Sequence, residues 1–267
     1  MIKEVVKRFL SAGIVLLASG FALNAYACST AAWNGGESGA PVVGSPQDVS
    51  RLSGLCAMEL SAAGSVKDTS PAGEATANIR FYIFAQLSSG SPVIFEAFSD
   101  DAATASLLTV SFDGANFVFA TGAETSGPVP GKSGWNLVEL AWADGGTMEY
   151  WVNTDATLVT ADGSIAASGG TMESVIVGTS DAYTGTLTFD DYEAHRSTPV
   201  GPLVIGDADQ DGSITLDDAV GVLKEARIFN VELQQGAPDC DLDGSITLDD
   251  AVRILQAARI FNVVPCG

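Results

Sequence analysis

The chain has 267 residues, with 33 acidic and 12 basic side chains, one histidine and four cysteines, and a formal net charge of -21. This length fits one large domain or two unequal domains. The charge argues against nucleic acid and anionic membrane surfaces as partners, because both are bound through Lys and Arg clusters that this sequence mostly lacks.

Residues 1–27 have the pattern of an export signal. A basic start and a mostly apolar run, short for a membrane span, precede Ala25-Tyr26-Ala27, which fits the small-x-small cleavage pattern. Removal of this segment takes away three basic residues and one Glu, so the mature chain would begin at Cys28 with a net charge of -23. We therefore predict a secreted protein without a membrane span. Acylation of Cys28, which would anchor the chain to lipid, stays open as an alternative.

The four cysteines of an exported chain indicate disulfides, and four cysteines allow three connectivities. Cys28 and Cys56 lie in one half of the chain, and Cys240 and Cys266 lie in the other. Pairing within each half would close loops of roughly 25 to 30 residues, each worth about 3 to 4 kcal/mol through loop-closure entropy. That pairing would leave the two halves independent, but the sequence alone does not exclude the other connectivities.

From Cys28 to about Arg196 the sequence is typical of strands, because short Val-, Ile-, Phe-, Tyr- and Thr-rich runs alternate with Gly, Ser, Asp and Pro. Nine strands are predicted at Gly54 to Leu60, Ala77 to Ala85, Pro92 to Phe98, Leu107 to Asp113, Asn116 to Ala120, Trp135 to Trp142, Met148 to Val152, Met172 to Gly178 and Gly185 to Tyr192. Asp113-Gly114 predicts a hairpin turn. Nine short strands predict a mainly β fold, either a sandwich or a barrel.

Several of these runs share a family resemblance. They are Arg80-Phe81-Tyr82, Gly134 to Leu140, Met148 to Val152, Val175 to Gly178 and Leu187 to Tyr192. Over roughly residues 50–196 they resemble the laminin-G-like or concanavalin-A-like jelly roll. The resemblance implies a jelly-roll β-sandwich at 28–198 that recognises carbohydrate or protein. Pro and Gly residues then predict a short linker at 199–203.

Aromatic residues in the predicted strands are candidates for glycan contact. Flat aromatic rings can stack on the apolar side of a sugar, so Trp142, Tyr150 and Trp151 are possible contacts, with a place in the core as the alternative. Trp135 and Trp142 have opposite parity and face opposite sides of their strand. At least one of these two must therefore lie outside the sandwich core or at its edge.

The C-terminal part contains an internal duplication. Residues 211–231 recur at 243–263 with 17 of 21 positions identical, at an offset of 32 residues. Each copy begins within a twelve-residue loop with Asp at positions 1, 3, 5 and 12 and Gly at position 6, which is the spacing of a calcium loop. The spacing predicts two Ca²⁺ ions, with position 7 contributing its carbonyl oxygen and position 9 acting through water. The predicted ligands of the first ion are Asp207, Asp209, Asp211, Ser213, Thr215 and Asp218. Those of the second ion are Asp239, Asp241, Asp243, Ser245, Thr247 and Asp250.

One amphipathic helix follows each loop, predicted at about Leu216 to Ile228 and Leu248 to Ile260. Two such loop-helix units, 32 residues apart in an exported chain, resemble the type I dockerin module over residues 206–264. The resemblance implies a small all-α module of paired F-hands at 204–267, which folds on calcium and docks onto a cohesin-type partner.

The same resemblance assigns docking to loop positions 10 and 11. Here these are Leu216 and Asp217 in the first copy and Leu248 and Asp249 in the second, so two docking orientations are expected. The leucines depart from the small hydroxyl or alanine residues common at this position in the family.

Charge favours a structural role for calcium. Residues 204–267 carry a net charge of -8, and clustered carboxylates repel without a cation, so chelation is expected to unfold this part of the chain. An alternative is that calcium only stabilises the tail of a structural or adhesive exoprotein, with no docking partner.

Catalytic patterns are weak. His195 is the only histidine and is expected at the surface. The carboxylate pairs Glu139 with Glu149 and Asp190 with Asp191 leave a polysaccharide-acting glycoside hydrolase accessory as a third alternative. We expect a non-catalytic protein of recognition or assembly.

Overall fold

The computed structural model describes residues 28–44, 49–227, 236–259 and 266–267. The predicted export signal at 1–27 lies outside this part of the chain. A 3₁₀ turn at Thr30–Ala32 opens the described residues, and the strands and helices follow.

Fourteen strands form within the described residues. In chain order they are β1 (Gly36–Gly39), β2 (Val42–Gly44), β3 (Ala57–Leu60), β4 (Gly64–Asp68), β5 (Thr76–Ser89), β6 (Val93–Phe98), β7 (Ser106–Phe112), β8 (Asn116–Thr121), β9 (Val129–Pro130), β10 (Trp135–Ala143), β11 (Thr147–Val152), β12 (Gly163–Ala166), β13 (Ser174–Thr179) and β14 (Thr184–His195). They make two antiparallel sheets of seven strands, in the orders β1-β4-β13-β6-β7-β8-β9 and β12-β11-β10-β5-β14-β3-β2. The mainly β sandwich expected from the sequence is confirmed.

Alternation of apolar and polar residues builds the core between the sheets. In β7, Leu108, Val110 and Phe112 are buried, whereas Thr109 and Ser111 are partly exposed. Phe81 of one sheet and Phe95 of the other stack with ring centroids 5.4 Å apart. This burial of apolar surface is the main stabilising contribution to the sandwich.

All nine predicted strands are present, and five short ones were missed. The missed strands are β1, β2, β4, β9 and β12, which have only two to five residues each. Segments this short show no alternation of apolar and polar residues, so pairing with neighbouring strands determines their conformation. The predicted hairpin is confirmed, since Asp113 N donates to Asn116 O at 3.2 Å.

Two helices follow, α1 (Leu216–Arg227) and α2 (Leu248–Arg259), and they pack against each other. The predicted end residues Ile228 and Ile260 lie outside the described residues. The core around the helices is small, and its buried members are Ala208, Ala219, Val222, Cys240, Ala251, Ile254 and Cys266. We call the described parts of 204–267 the C-terminal unit.

Two disulfides are present. Cys28 is bonded to Cys56, 28 residues apart, and Cys240 to Cys266, 26 residues apart. Of the three connectivities, this is the one that closes a loop within each half. Acylation of Cys28 is incompatible with this arrangement, because its sulfur is bonded to Cys56. Within the described residues, no helix has the length and apolar character needed to cross a membrane.

The C-terminal unit covers the outer face of the second sheet. Strand β5 is buried at six consecutive positions from Ile79 to Phe84, so both of its faces are covered. Leu242 of the C-terminal unit packs there, and we call the group the outer-face cluster: Leu52, Tyr82, Phe84, Trp135, Leu137 and Leu242. A second apolar core thus lies outside the sandwich.

The segment predicted as a linker at 199–203 is held on the same face. Glu139 accepts hydrogen bonds from Val200 N at 2.7 Å and Gly201 N at 3.0 Å. Arg80 donates to Gly201 O at 2.8 Å, and the Tyr82 hydroxyl accepts from Leu203 N at 2.9 Å. These contacts with buried charged groups fix the path by which the chain enters the C-terminal unit.

Candidate metal centre

Two groups of three aspartates come together at the loops before the helices. In the first, one carboxylate oxygen from each of Asp207, Asp209 and Asp211 lies within 4.8 Å of the others. Asp239, Asp241 and Asp243 form the same arrangement in the second loop. These are loop positions 1, 3 and 5, whose convergence the spacing predicted.

Backbone hydrogen bonds within each loop bring these carboxylates together. Asp207 accepts from Asp211 N at 3.2 Å and from Gly212 N at 2.8 Å. Asp239 accepts from Asp243 N at 3.2 Å and from Gly244 N at 2.9 Å. Gly212 and Gly244 both adopt positive φ, near 90°, a conformation that favours Gly. The two loops therefore turn in the same way.

The position 12 aspartates have a role that the sequence analysis missed. Asp218 is fully buried and accepts from Ala208 N at 2.7 Å and Thr215 N at 2.7 Å. Thr215 Oγ1 in turn accepts from Asp217 N at 3.2 Å. This resembles a capping box at the start of α1, in which the aspartate accepts the Thr215 backbone N–H and the threonine hydroxyl accepts a backbone N–H of the first turn.

The second repeat has the same box. Asp250 accepts from Thr247 N at 2.7 Å and Cys240 N at 2.8 Å. The Thr-x-x-Asp pattern was visible in the sequence, but Thr215 and Thr247 were assigned to water-mediated calcium contact instead. Neither Asp218 nor Asp250 belongs to its aspartate triad, so their direct ligation of an ion remains a prediction, as does that of Ser213 and Ser245.

The electrostatics of the loops favour a cation. Burial raises the pKa of Asp239 to about 7, and the negative charges of Asp250, Asp243 and Asp241 act in the same direction. Burial also raises the pKa of Asp209 and of Asp250. A divalent ion would offset this repulsion, and the all-oxygen donor set suits a hard cation such as Ca²⁺. The residues present therefore fit the ion that their spacing predicted.

The predicted docking residues lie at the surface. Leu216 is 48% exposed and Leu248 is 40% exposed, and the neighbouring Asp217 and Asp249 are exposed as well. Further large apolar side chains are exposed on the helices: Val220, Leu223 and Val252. Both repeats thus present apolar side chains beside an acidic one.

The predicted glycan contacts are buried. Trp142 is 2% exposed, and Tyr150 and Trp151 are each 6% exposed. Trp142 and Tyr150 belong to the sandwich core, and Trp151 Nε1 donates to Val159 O at 3.1 Å. Because none of the three presents a ring face to solvent, they do not form a sugar-stacking platform. Of Trp135 and Trp142, which parity places on opposite faces, Trp135 is the one outside the sandwich core, and the C-terminal unit covers it.

A cavity of about 440 Å³ opens at one end of the sandwich, between the start of β5 and the end of β14. Its lining includes Asp68, Glu74, Tyr192, His195 and Arg196. Glu74 and Arg196 form an ion pair, which lowers the pKa of Glu74 through its hydrogen bond to the guanidinium. Strand parity gave no signal of this cavity, because its lining comes from segments that are distant in the sequence.

The candidate carboxylate pairs of a glycosidase are engaged elsewhere. Both oxygens of Glu139 accept backbone N–H groups of the linker segment. Asp190 accepts from Leu52 N at 2.7 Å, Ser53 N at 2.9 Å and Asp191 N at 2.8 Å. Burial raises the pKa of Asp190 to about 7. These two residues hold neighbouring segments against the sheet.

Comparison with known proteins gives limited information. No protein-family model matches the chain, and no curated protein matches it. Solved structures do match. Cellulose induced protein, Cip1, is 18% identical with a TM-score of 0.43, over 61% of this chain and 89% of that chain.

Two further similar structures are a carbohydrate esterase and a toxin domain. The esterase, from Shiga toxin-encoding bacteriophage phi24B, is 11% identical with a TM-score of 0.45, over 64% of this chain and 93% of that one. The ligand binding domain of botulinum neurotoxin serotype D, in complex with N-acetylneuraminic acid, is 11% identical with a TM-score of 0.42, over 58% of this chain. The match spans only 42% of the toxin domain's own length. Likenesses at this level do not identify a ligand or an activity.

Proposed function

We propose that the protein is a secreted, non-catalytic calcium-binding protein of recognition and assembly. The carrying observation is the pair of aspartate triads, repeated 32 residues apart with the same internal hydrogen bonds. In this proposal each loop holds one Ca²⁺, and the ions keep α1 and α2 in place for docking. Two disulfides support an extracellular location, because disulfides persist in oxidising compartments.

Docking is assigned to the exposed surface of the helical pair. Leu216 with Asp217, and Leu248 with Asp249, are accessible and sit directly after the two loops. By its dockerin-like pattern, this surface would bind a cohesin-type protein, with the β-sandwich at 28–198 as the cargo and 204–267 as the docking module. Calcium acts here by fixing the loops from which both helices start.

Carbohydrate binding is assigned to the cavity at the end of the sandwich. Its lining combines the Tyr192 ring with carboxylate, guanidinium and imidazole groups. The ring can pack on the apolar face of a sugar, and the polar groups can hydrogen-bond its hydroxyl groups. We expect Arg196→Ala and His195→Ala to weaken glycan binding. Lys132→Ala, at a position outside this lining, is the matched control. Equal binding by all three variants on a glycan array would contradict this assignment.

The main experiment combines calcium titration with capture of a partner. Calorimetry on the mature chain is expected to give two Ca²⁺ ions per chain, and Asp207→Asn with Asp239→Asn should abolish binding. Asp101→Asn, an exposed aspartate of the sandwich, is the control. A cohesin-type domain should bind the wild type only with calcium, whereas Leu216→Ala with Leu248→Ala should retain calcium and lose the partner.

A second candidate function is supported by the outer-face cluster. Leu242 of the second loop packs on the chain's own sheet, as expected if calcium serves a structural or adhesive exoprotein with no docking partner. Two bound ions without capture of any cohesin-type domain would favour this alternative. Absence of calcium binding would contradict both candidates.

A further inference from the structure

The two loops carry the same predicted ligands, but they differ at position 4. The first loop has Gln210 there, and the second has Leu242. Gln210 is exposed, whereas Leu242 is 7% exposed and lies in the outer-face cluster. The two repeats therefore differ at position 4, where the side chain of the second loop, Leu242, packs on the second sheet.

Leu242 joins the second loop to the second sheet in two ways. Its side chain packs with Phe84 and Trp135, and its carbonyl oxygen accepts a hydrogen bond from Trp135 N at 3.1 Å. Gly134 makes the approach possible, because a Cβ at that position would collide with the Leu242 carbonyl. A residue with a Cβ at position 134 would not allow so close a contact between the two backbones.

Gly212 and Gly244, the position 6 glycines of the two loops, also differ in how close they lie to the sandwich. A Cβ on Gly244 would touch the Phe84 ring and Ser50 Oγ, whereas a Cβ on Gly212 would meet nothing within 4 Å. The second loop is therefore packed against the sandwich, and the first loop is open at the equivalent position.

The conformation of Leu242 depends on its neighbours in the loop. Its φ is 60°, and Gln210 at the same position of the first loop has a φ of 65°; this left-handed conformation is unfavourable for a non-Gly residue. Leu242 stands between Asp241 and Asp243, two members of the aspartate triad. Bringing these carboxylates onto one ion would therefore also hold Leu242 in the orientation that places it on the sheet.

The first repeat touches the sandwich differently. Glu225 in the last turn of α1 forms a buried ion pair with Arg51, and the equivalent position in α2 is Ala257. This contact lies at the far end of α1 from the first loop. The first loop also has an indirect link to the sandwich, because Gly236 N donates to Ala208 O at 2.7 Å and Gly236 O accepts from Gly54 N at 3.2 Å.

We propose that the second loop is the direct calcium-dependent attachment between the C-terminal unit and the second sheet, whereas the first loop acts mainly on the helical pair. This inference rests on the calcium binding proposed above. It adds that the two ions have different effects despite the same predicted ligands. It also makes the two docking orientations unequal, because only the second loop is held against the sheet.

The Trp135 amide is a direct probe of this attachment, because its hydrogen bond goes to Leu242 rather than to a strand. Hydrogen exchange of this amide is measured by NMR on the full mature chain in calcium. Asp239→Asn is expected to speed exchange by about tenfold or more, and Asp207→Asn is expected to leave it near the wild-type rate.

A reciprocal pair of variants separates attachment from folding of the loop. Leu242→Gln gives the second loop the residue of the first, and it should speed Trp135 exchange while calorimetry still finds two ions. Gln210→Leu is the matched control and should change neither quantity. Equal exchange in Asp207→Asn and Asp239→Asn, or wild-type exchange in Leu242→Gln, would overturn the inference when the wild-type chain itself binds two ions. A wild-type chain that binds no calcium would instead overturn the proposed function as well.

Discussion

The sandwich and the C-terminal unit are held together by different means. The sandwich core contains 29 buried apolar residues, including several Phe and Leu side chains and Trp142. The core of the C-terminal unit contains seven, of which five are Ala or Cys. Among the described residues so few apolar side chains contribute little against the conformational entropy of folding, and small units of this kind commonly depend on disulfides, metal ions or a supporting surface. The C-terminal unit has a disulfide, two candidate ion sites and the outer face of the second sheet.

The largest expected effect comes from removing calcium. We expect chelation to abolish the helical signal of α1 and α2, because the aspartate triads then repel and the small core cannot compensate. The sandwich should stay folded. Far-UV circular dichroism with hydrogen exchange of the sandwich strands checks this. A full helical signal in chelator would show that the unit needs no ion.

A change in the sandwich core tests the other side of the comparison. Phe95→Ala removes one partner of the Phe81 stack in the fully buried core, and it should lower the free energy of unfolding by about 3 to 5 kcal/mol. Urea denaturation of the mature chain in calcium measures this. Val159→Ala, at a partly exposed position, is the control and should change stability by less than about 0.5 kcal/mol.

The two disulfides provide a matched pair. Their loops have nearly the same length, with separations of 28 and 26 residues, so each is expected to contribute about 3 to 4 kcal/mol through loop closure. Cys240→Ser with Cys266→Ser should destabilise the helices at low calcium, whereas Cys28→Ser with Cys56→Ser should lower the stability of the sandwich. Thermal melts followed at helical and strand wavelengths separate the two. If both pairs affected only the sandwich, the C-terminal unit would not need its own disulfide.

The last expected effect is a pH dependence within the sandwich. Burial raises the pKa of Asp190 from 3.8 to about 7, so this carboxyl binds a proton in the folded chain at a pH where it is ionised in the unfolded chain. Its contribution to stability is full below about pH 4 and is lost as the pH rises to about 7. Asp190→Asn should flatten this part of the stability profile, measured by urea denaturation at constant calcium. A wild-type profile as flat as that of the variant would contradict the assignment.

Much of the fold was predictable because its signals are local. The nine longer strands follow from alternation and turn residues, and the aspartate triads follow from the spacing of Asp207, Asp209 and Asp211 and of its repeat. The five short strands carry no such signal, because two to five residues are too few to show an alternating pattern.

The interpretation of the aromatic residues failed for a different reason. The segment from Ile79 to Phe84 is buried on both faces, and sequence parity shows that each face holds apolar side chains. It does not show what covers the outer face. Only the long-range contact with Leu242 explains why Trp135 is buried.

The edges of the two sheets have a consequence for the protein at high concentration. The outermost strands of the described residues, β1, β9, β12 and β2, have only two to four residues each. An unpaired sheet edge is a template for strands of other molecules, and short edges reduce the backbone available for such pairing. Together with a net charge of -21, which makes copies of the chain repel one another, these short edges protect a strand-rich protein against aggregation.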